Sequence, residues 1–333
     1  MKVSIIIPTL NEEKNIGRLL DSIRATKYPK KEILVIDGNS KDNTVKIARS
    51  KGAHVIREYG PQKCCANAKN IGVKEAKYDI ILILNADSEG INKSFISEAV
   101  RLLKDPRNVG VAPEVIKILP TFWSKVLYHS RTLVHFTLNL MRKGSIKLTE
   151  KQISWFPNFI RKKTFEEIGG YPLRAYEDRT FLINFKNYLE KNRAKCPYSK
   201  KSKLYLKDPE TLSDIFRQTK WYSRVGIPYI AKTGDIKELV AYIASLVQFV
   251  AIISYFLMSD HPIFLLLAIL YTIKVTFIFL YILLFKGSTY NSKHFALAIP
   301  LLDFLSGVWK FIGILEYIKI RMIKSNRLYS RGK

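Results

Sequence analysis

Three short polar clusters each close an apolar run: Pro8-Thr9-Leu10-Asn11 after Val3–Ile7, Asp37 after Ile33–Ile36, and Asn85-Ala86-Asp87 after Ile80–Leu84. A carboxylate at the tip of a buried strand is well placed to serve a hard cation. Such a cation takes oxygen ligands, and one or two protein carboxylates are commonly completed by phosphate and water. Asp87 can be one of them. Asn85, two residues back, offers hydrogen bonds but no charge. The competing reading of Asn85-Ala86-Asp87-Ser88 is an ordinary turn, because Asn, Asp and Ser all favour turns. Two more acids, Glu177 and Asp178, stand side by side before a helical pattern. There the helix dipole favours acids whatever their task. Arg217, Lys220 and Arg224 recur at spacings of three and four, so they share one helical face.

The elements that must position these residues follow from periodicity. Val3–Ile7, closed by Pro8, reads as a buried parallel strand. Residues 12–23 place Ile16, Leu19, Leu20 and Ile23 on one helical face, with Asn11 expected as the cap. Residues 31–37 form a second strand ending at Asp37. Residues 43–52 form a helix that Gly52 stops, with Asp42 as its cap. A shorter strand at 53–58, a helix at 61–76 with Pro61 in its first turn, and a strand at 78–87 follow. This β-α-β-α order implies a parallel, doubly wound α/β sheet. Ligands of such sheets bind beyond the carboxyl ends of the strands. The three polar clusters are therefore expected to converge on one crevice. Residues 162–192 read as a helix, a glycine turn, a loop and a second helix, and 211–226 as a basic helix capped by Thr211.

The chain has 333 residues, enough for two parts. Hydrophobic residues make up 47%, which speaks against a disordered chain. Lys plus Arg total 55 against 28 Asp plus Glu, a net charge of +27. Nucleic acid, an anionic membrane surface and a solvated Lys-rich surface all fit that excess. Residues 191–207 carry seven Lys or Arg and no acid, but no aromatic platform or nucleic-acid motif accompanies them. Nucleic acid is therefore not an expected partner. The three cysteines, Cys64, Cys65 and Cys196, form no disulfide framework and match no zinc spacing. A reducing compartment is the simplest setting.

Residues 239–258 contain no charge, and at ~1.5 Å per residue they span a bilayer core. Residues 263–285 form a second such stretch, broken only by Lys274. Residues 295–318 carry Asp303 and Lys310 with Pro300 and Gly307, and read as re-entrant, interfacial or spanning. Residues 119–143 place Phe122, Trp123, Val126, Leu127 and further apolar residues at helical spacing among basic ones. That suits either a helix in a membrane interface or a helix packed on the sheet. Met1-Lys2 runs straight into the first strand, leaving no room for a signal peptide. The tail beyond Glu316 carries six Lys or Arg and no acid. By the positive-inside rule, the expectation is a multi-pass protein of the cell membrane with two full spans, its soluble part and tail cytoplasmic, and Lys274 paired with Asp303.

At this point the sequence resembles glycosyltransferase family 2, over about residues 3–225. The residues that carry the resemblance are "IIIPTLNEE", "VIDGNSKDNT", "GPQKCCANAKNIG", "LILNADS" where the family has its Asp-x-Asp motif, and "IGGYP" followed by "YEDRTF". The resemblance implies an inverting enzyme with a GT-A fold, a Rossmann-like, doubly wound mixed sheet. Its expected extent is residues 1–232, with a donor half to about 116 and an acceptor half from about 117. A C-terminal α-helical membrane region at 233–333 would follow.

The resemblance also implies roles. Asp37 would meet the nucleobase or ribose, with Pro8, Thr9 and Glu12 lining the same pocket, while Ser40 and Asp42 fix the loop. Asp87 would bind Mg²⁺ or Mn²⁺ together with the donor diphosphate, and Asn85 would lie beside the donor. Lys63, Arg217, Lys220 and Arg224 would support the diphosphate. Asp178 would be the general base and Glu177 its brace or an acceptor contact. Gly38 and Thr180 stand where the family often has further acids. The implied reaction is transfer of a hexose from a UDP- or GDP-sugar to a membrane-associated acceptor, a polyprenyl phosphate or a lipid-linked glycan. The alternative is a catalytically silent nucleotide-sugar-binding membrane module.

Overall fold

The computed structural model describes residues 1–26, 28–60, 64–128, 156–173, 177–220 and 295–329, with four single residues between these segments. The chain divides into two compact units, Met1–Ile118 with Glu150–Lys207, and Leu119–Thr149 with Asp208–Lys333.

The first unit opens with the expected alternation: β1 (Val3–Thr9), α1 (Ile16–Ala25), β2 (Lys31–Asp37), α2 (Thr44–Ser50), β3 (His54–Arg57), α3 (Cys65–Glu75) and β4 (Ile80–Ile83). It continues with β5 (Gly90–Ile91), α4 (Phe95–Leu102), β6 (Gly110–Ile118), β7 (Phe159–Arg161), α5 (Lys162–Glu167), α6 (Glu177–Asn192) and β8 (Tyr198–Lys207). The strands form one sheet in the order β3-β2-β1-β4-β7-β6-β8-β5. The first four are parallel to their neighbours, with Ile7 beside Val35 and Ile6 beside Ile83. β7 lies antiparallel between β4 and β6, so the sheet is mixed.

Both faces of β1 are buried, which explains its unbroken apolar run. Val3, Ile5 and Ile7 pack with α1 and α4 residues such as Leu19, Leu20 and Phe95. Ile6 faces the other way, with Ile71 and Val73 of α3 and Phe181 and Phe185 of α6. The contact between α3 and β1 is close: a Cβ built on Gly72 would lie 2.3 Å from Ile6 Cγ2.

Some local readings change. Asn11 does not cap α1; it takes φ 56°, and the helix starts at Ile16. Its carboxamide oxygen accepts from the Lys41 N–H at 2.8 Å instead, joining the two loops beyond β1 and β2. Asp42 does accept the Thr44 N–H, at 3.0 Å, and Gly52 stops α2 at φ 69°. The basic run 191–207 is in large part β8, with Ser199, Ser202 and Leu204 buried while Lys200 and Lys201 are exposed. Its lysines hide the inward positions Ser202 and Leu204, and a register irregularity between Ser199 and Lys203 breaks the two-residue period.

In the second unit, residues 122–128 and 212–220 are helical, and Phe295–Tyr329 forms one helix of 35 residues. Thr211 and Asp214 cap the middle helix reciprocally: the Asp214 N–H donates to Thr211 Oγ1 at 3.1 Å, and the Thr211 N–H to Asp214 Oδ2 at 3.2 Å. Val126 and Leu127 bury against Ile215, Ala298, Ile299 and Leu302. This apolar cluster draws the stretch after β6 and the basic helix into the C-terminal unit. The Trp123-Val126-Leu127 face therefore packs on helices of its own unit rather than on the sheet. Among the described residues no helix is long and apolar enough to cross a membrane. Within Phe295–Tyr329 the apolar run is interrupted by Asp303, Lys310 and Glu316, and the segment continues as helix without a re-entrant turn. The expected spans 239–258 and 263–285, with Lys274 of the expected Lys274–Asp303 pair, lie outside the described residues.

Candidate active site

The carboxyl ends of β1 and β4 open onto a cavity of about 360 Å³. Pro8, Thr9 and Glu12 line it from the loop after β1, and Asn85 and Asp87 from the turn after β4. Glu177 and Asp178 enter from the first turn of α6, and Cys65, Ala68 and Lys69 from α3. The structure thus brings Asp87 and Asp178, 91 positions apart in sequence, to one cavity.

Asp37 is placed differently. Its carboxylate is buried and accepts the backbone N–H groups of Asn39 at 3.0 Å and of Ser40 at 3.1 Å. It therefore ties its own loop, and Gly38 takes the lining position. Ser40 and Asp42 fix the same loop, accepting from the N–H groups of Asn11 at 2.9 Å and Glu13 at 3.1 Å. Lys63 and Arg224 lie outside the described residues. Arg217 and Lys220 belong to the second unit, where Arg217 pairs with Asp214 and Lys220 with Glu316 at 2.9 Å.

The cavity's charge pattern opposes that of the chain. Its described lining carries five carboxylates, Glu12, Glu58, Asp87, Glu177 and Asp178, and a single cation, Lys69. Burial raises the carboxyl of Asp87, with Lys117 pulling the other way. Burial also raises Glu12, opposed by a hydrogen bond from Asn15, while the charges of Asp87 and Asp42 raise it further. Two acids that disfavour each other across an open cavity suit a cation between them. Among the described residues no three His, Cys, Asp or Glu converge as a protein-only metal site. The arrangement therefore fits an open hard-cation site in which Asp87 supplies protein charge and a ligand supplies the remaining oxygens.

Lys69 was not foreseen from sequence, where it looks like any helix lysine. Its side chain is only 3% exposed, and its Nζ lies 2.6 Å from Asp178 Oδ1. The same ammonium sits 4.5 Å from the centre of the Tyr171 ring, a cation–π contact. Burial would lower its pKa, but Asp178, Cys65 and Glu177 outweigh burial and hold it above the usual lysine value. Burial and the charge of Asp178 raise Glu177, with Lys69 opposing. Cys65 is pushed up to about 11 by burial and the two acids, again against Lys69, so this thiol stays protonated near neutrality. Glu58, also unforeseen, accepts from the Cys64 N–H at 2.9 Å and Asn67 Nδ2 at 2.8 Å, fixing the start of α3. Its place just past the end of β3 was the available signal.

Asn70 anchors the glycine turn at 169–170. Gly169 and Gly170 take φ 83° and 64°, conformations that favour glycine, and a Cβ on Gly170 would meet Asn70 Oδ1 at 2.9 Å. The turn delivers Tyr171 to stack on Phe181 of α6, ring centroids 4.2 Å apart. It thereby fixes the helix start that carries Glu177 and Asp178.

The family model described as "Glycosyl transferase family 2" matches residues 4–169. The chain is 22% identical over 260 residues to poly-beta-1,6-N-acetyl-D-glucosamine synthase of Staphylococcus aureus, covering 75% of this chain and 62% of that protein. The chain thus spans under two thirds of the length of those relatives. Over 124 residues it is 36% identical to glucosyl-3-phosphoglycerate synthase of Petrotoga mobilis, covering 33% of this chain and 37% of the other. In fold it is similar to mannosyltransferase PcManGT from Pyrobaculum calidifontis, solved in complex with GDP-Man and Mn2+, at 16% identity and TM-score 0.53, covering 93% of this chain and 87% of that one. With its mixed sheet and its strand-end cavity, the chain is similar over residues 4–169 to glycosyltransferase family 2.

Proposed function

We propose that the chain is an inverting glycosyltransferase that moves a hexose from a UDP- or GDP-sugar to a membrane-associated acceptor, a polyprenyl phosphate or a lipid-linked glycan. The observation that carries this reading is one cavity with Asp87 on one wall and Asp178, held by Lys69, on another. The names of the sequence relatives support sugar transfer, and the GDP-Man and Mn2+ bound to PcManGT support a nucleotide-sugar donor and a divalent cation, Mg²⁺ or Mn²⁺. Asp87 would hold that cation, which when bound neutralises the diphosphate leaving group.

The chain's own residues do the rest. The loops after β1 and β2, tied together through Asn11, Ser40 and Asp42, wall the donor side. Asp178 faces the acceptor. Attack on the anomeric carbon from the side opposite the diphosphate forms the new C–O bond as the old one breaks. The electron pair leaves with the nucleoside diphosphate, and the configuration inverts. The uncharged stretch 239–258 and the apolar stretch 263–285, whose one charge is Lys274, support membrane attachment, and the basic tail beyond Glu316 supports a catalytic unit on the cytoplasmic side.

Nucleotide release from UDP- and GDP-sugars, assayed with Mn²⁺ and Mg²⁺, tests this reading. Turnover of one donor class, abolished by EDTA, is the expected result. Nucleotide binding without turnover of any donor would instead make the chain a silent binding module.

A further inference from the structure

We infer that Lys69 is the positioning residue for Asp178, and that the pair is built for a neutral hydroxyl acceptor rather than an ionised phosphate. The inference rests on the reading above and narrows its acceptor.

Lys69 is committed on two sides, to Asp178 Oδ1 at 2.6 Å and to the Tyr171 ring at 4.5 Å. α3 holds it from behind, because Gly72, one turn later, packs directly on Ile6. Asp178 is the more exposed partner, at 55% against 3% for Lys69. The buried ammonium therefore fixes the carboxylate, and not the reverse. With Oδ1 taken, Oδ2 is the oxygen that can accept a proton. In the step proposed, the acceptor O–H proton passes to Oδ2 as the oxygen bonds to the anomeric carbon and the diphosphate leaves with the electron pair. The groups facing Asp178 from the neighbouring elements are Lys69 and Cys65 of α3, Tyr171 of the glycine turn and Glu177 of its own helix.

A phosphate acceptor fits this wall poorly. It arrives ionised and needs cations, not a base. Among the described lining residues it would meet Glu177 and Asp178 and no uncommitted cation. A hydroxyl needs the opposite: an oriented, ionised carboxylate.

A double-mutant cycle on donor hydrolysis, with water as the simplest hydroxyl acceptor, tests the pairing. Asp178→Asn should lower kcat roughly 100-fold or more, the scale of general-base catalysis. Lys69→Met should lower it at least tenfold, with nucleotide affinity by calorimetry changed less than threefold. Lys69→Arg should recover most of the loss. Lys69→Met in the Asp178→Asn background should cost less than twofold more, as for residues acting as one unit. Additive losses, or a matching loss of nucleotide affinity in Lys69→Met, would overturn the positioning role. The second arm supplies polyprenyl monophosphate in vesicles. Negligible transfer to it supports the hydroxyl assignment, and transfer that survives Asp178→Asn refutes it. A wild-type chain that hydrolyses no donor fails the functional reading itself, an outcome separate from either refutation.

Discussion

Asn70 clamps the backbone of Tyr171 on both sides of its Cα: its Nδ2 donates to the Tyr171 carbonyl at 2.8 Å, and its Oδ1 accepts the Tyr171 N–H at 2.9 Å. The pair joins α3 to the glycine turn across 101 positions, and Tyr171 is 2% exposed. Asn70→Ala leaves a donor and an acceptor without partners in a buried place, at a cost of about 1–3 kcal/mol each if unsatisfied. Urea unfolding should show a loss of at least ~2 kcal/mol. Asn70→Asp keeps only the acceptor and should fall between. Equal stability of Asn70→Ala and wild type would show that the clamp contributes nothing.

Gly72 sets how closely α3 approaches β1. Gly72→Ala forces a methyl against Ile6 and should destabilise by ~1–3 kcal/mol, the usual cost of overpacking. The same substitution in an Ile6→Ala background should be nearly free, because the clashing Cγ2 is gone. A full cost in both backgrounds would place the strain elsewhere.

On the donor side, Asp87 brings charge to its motif where Asn85 brings none. Asp87→Ala should abolish donor turnover and Mn²⁺ binding, and Asn85→Ala should be milder. Paramagnetic titration of Mn²⁺ in the presence of UDP or GDP checks this independently of turnover. Unchanged Mn²⁺ binding in Asp87→Ala would remove Asp87 from the cation site.

Glu177 gives a pH dependence. Its carboxyl is raised above the ordinary 4.5, first by burial and then by Asp178. The folded chain therefore holds this proton more tightly than the unfolded chain. Stability falls as pH rises from the ordinary value through the raised one, and is flat above it. Glu177→Gln cannot ionise and escapes that loss. It should be more stable than wild type at pH 7 and show no such advantage near pH 4. A gain that is the same at both pH values would assign it to packing instead.

The order of the first elements was legible because burial on both sheet faces demands unbroken apolar strands and an amphipathic α1. Pro8, Asp37 and Asp87 announced the strand ends for the same reason: polar residues reappear where the sheet stops. The glycine turn at 169–170 was legible from its residue types. β8 was not, since its exposed lysines mask the inward positions.

What the tertiary structure alone decided is which side chains meet. Asp37 turns into its own loop, where it accepts the backbone N–H groups of Asn39 and Ser40. Lys69 becomes the counter-charge of Asp178 only because a helix after β3 and a helix after β7 close on the same strand ends, 109 positions apart in sequence. A lysine on a helix has no local mark of burial. Its pKa, its partner and its role are all set by long-range packing, which composition and spacing do not record.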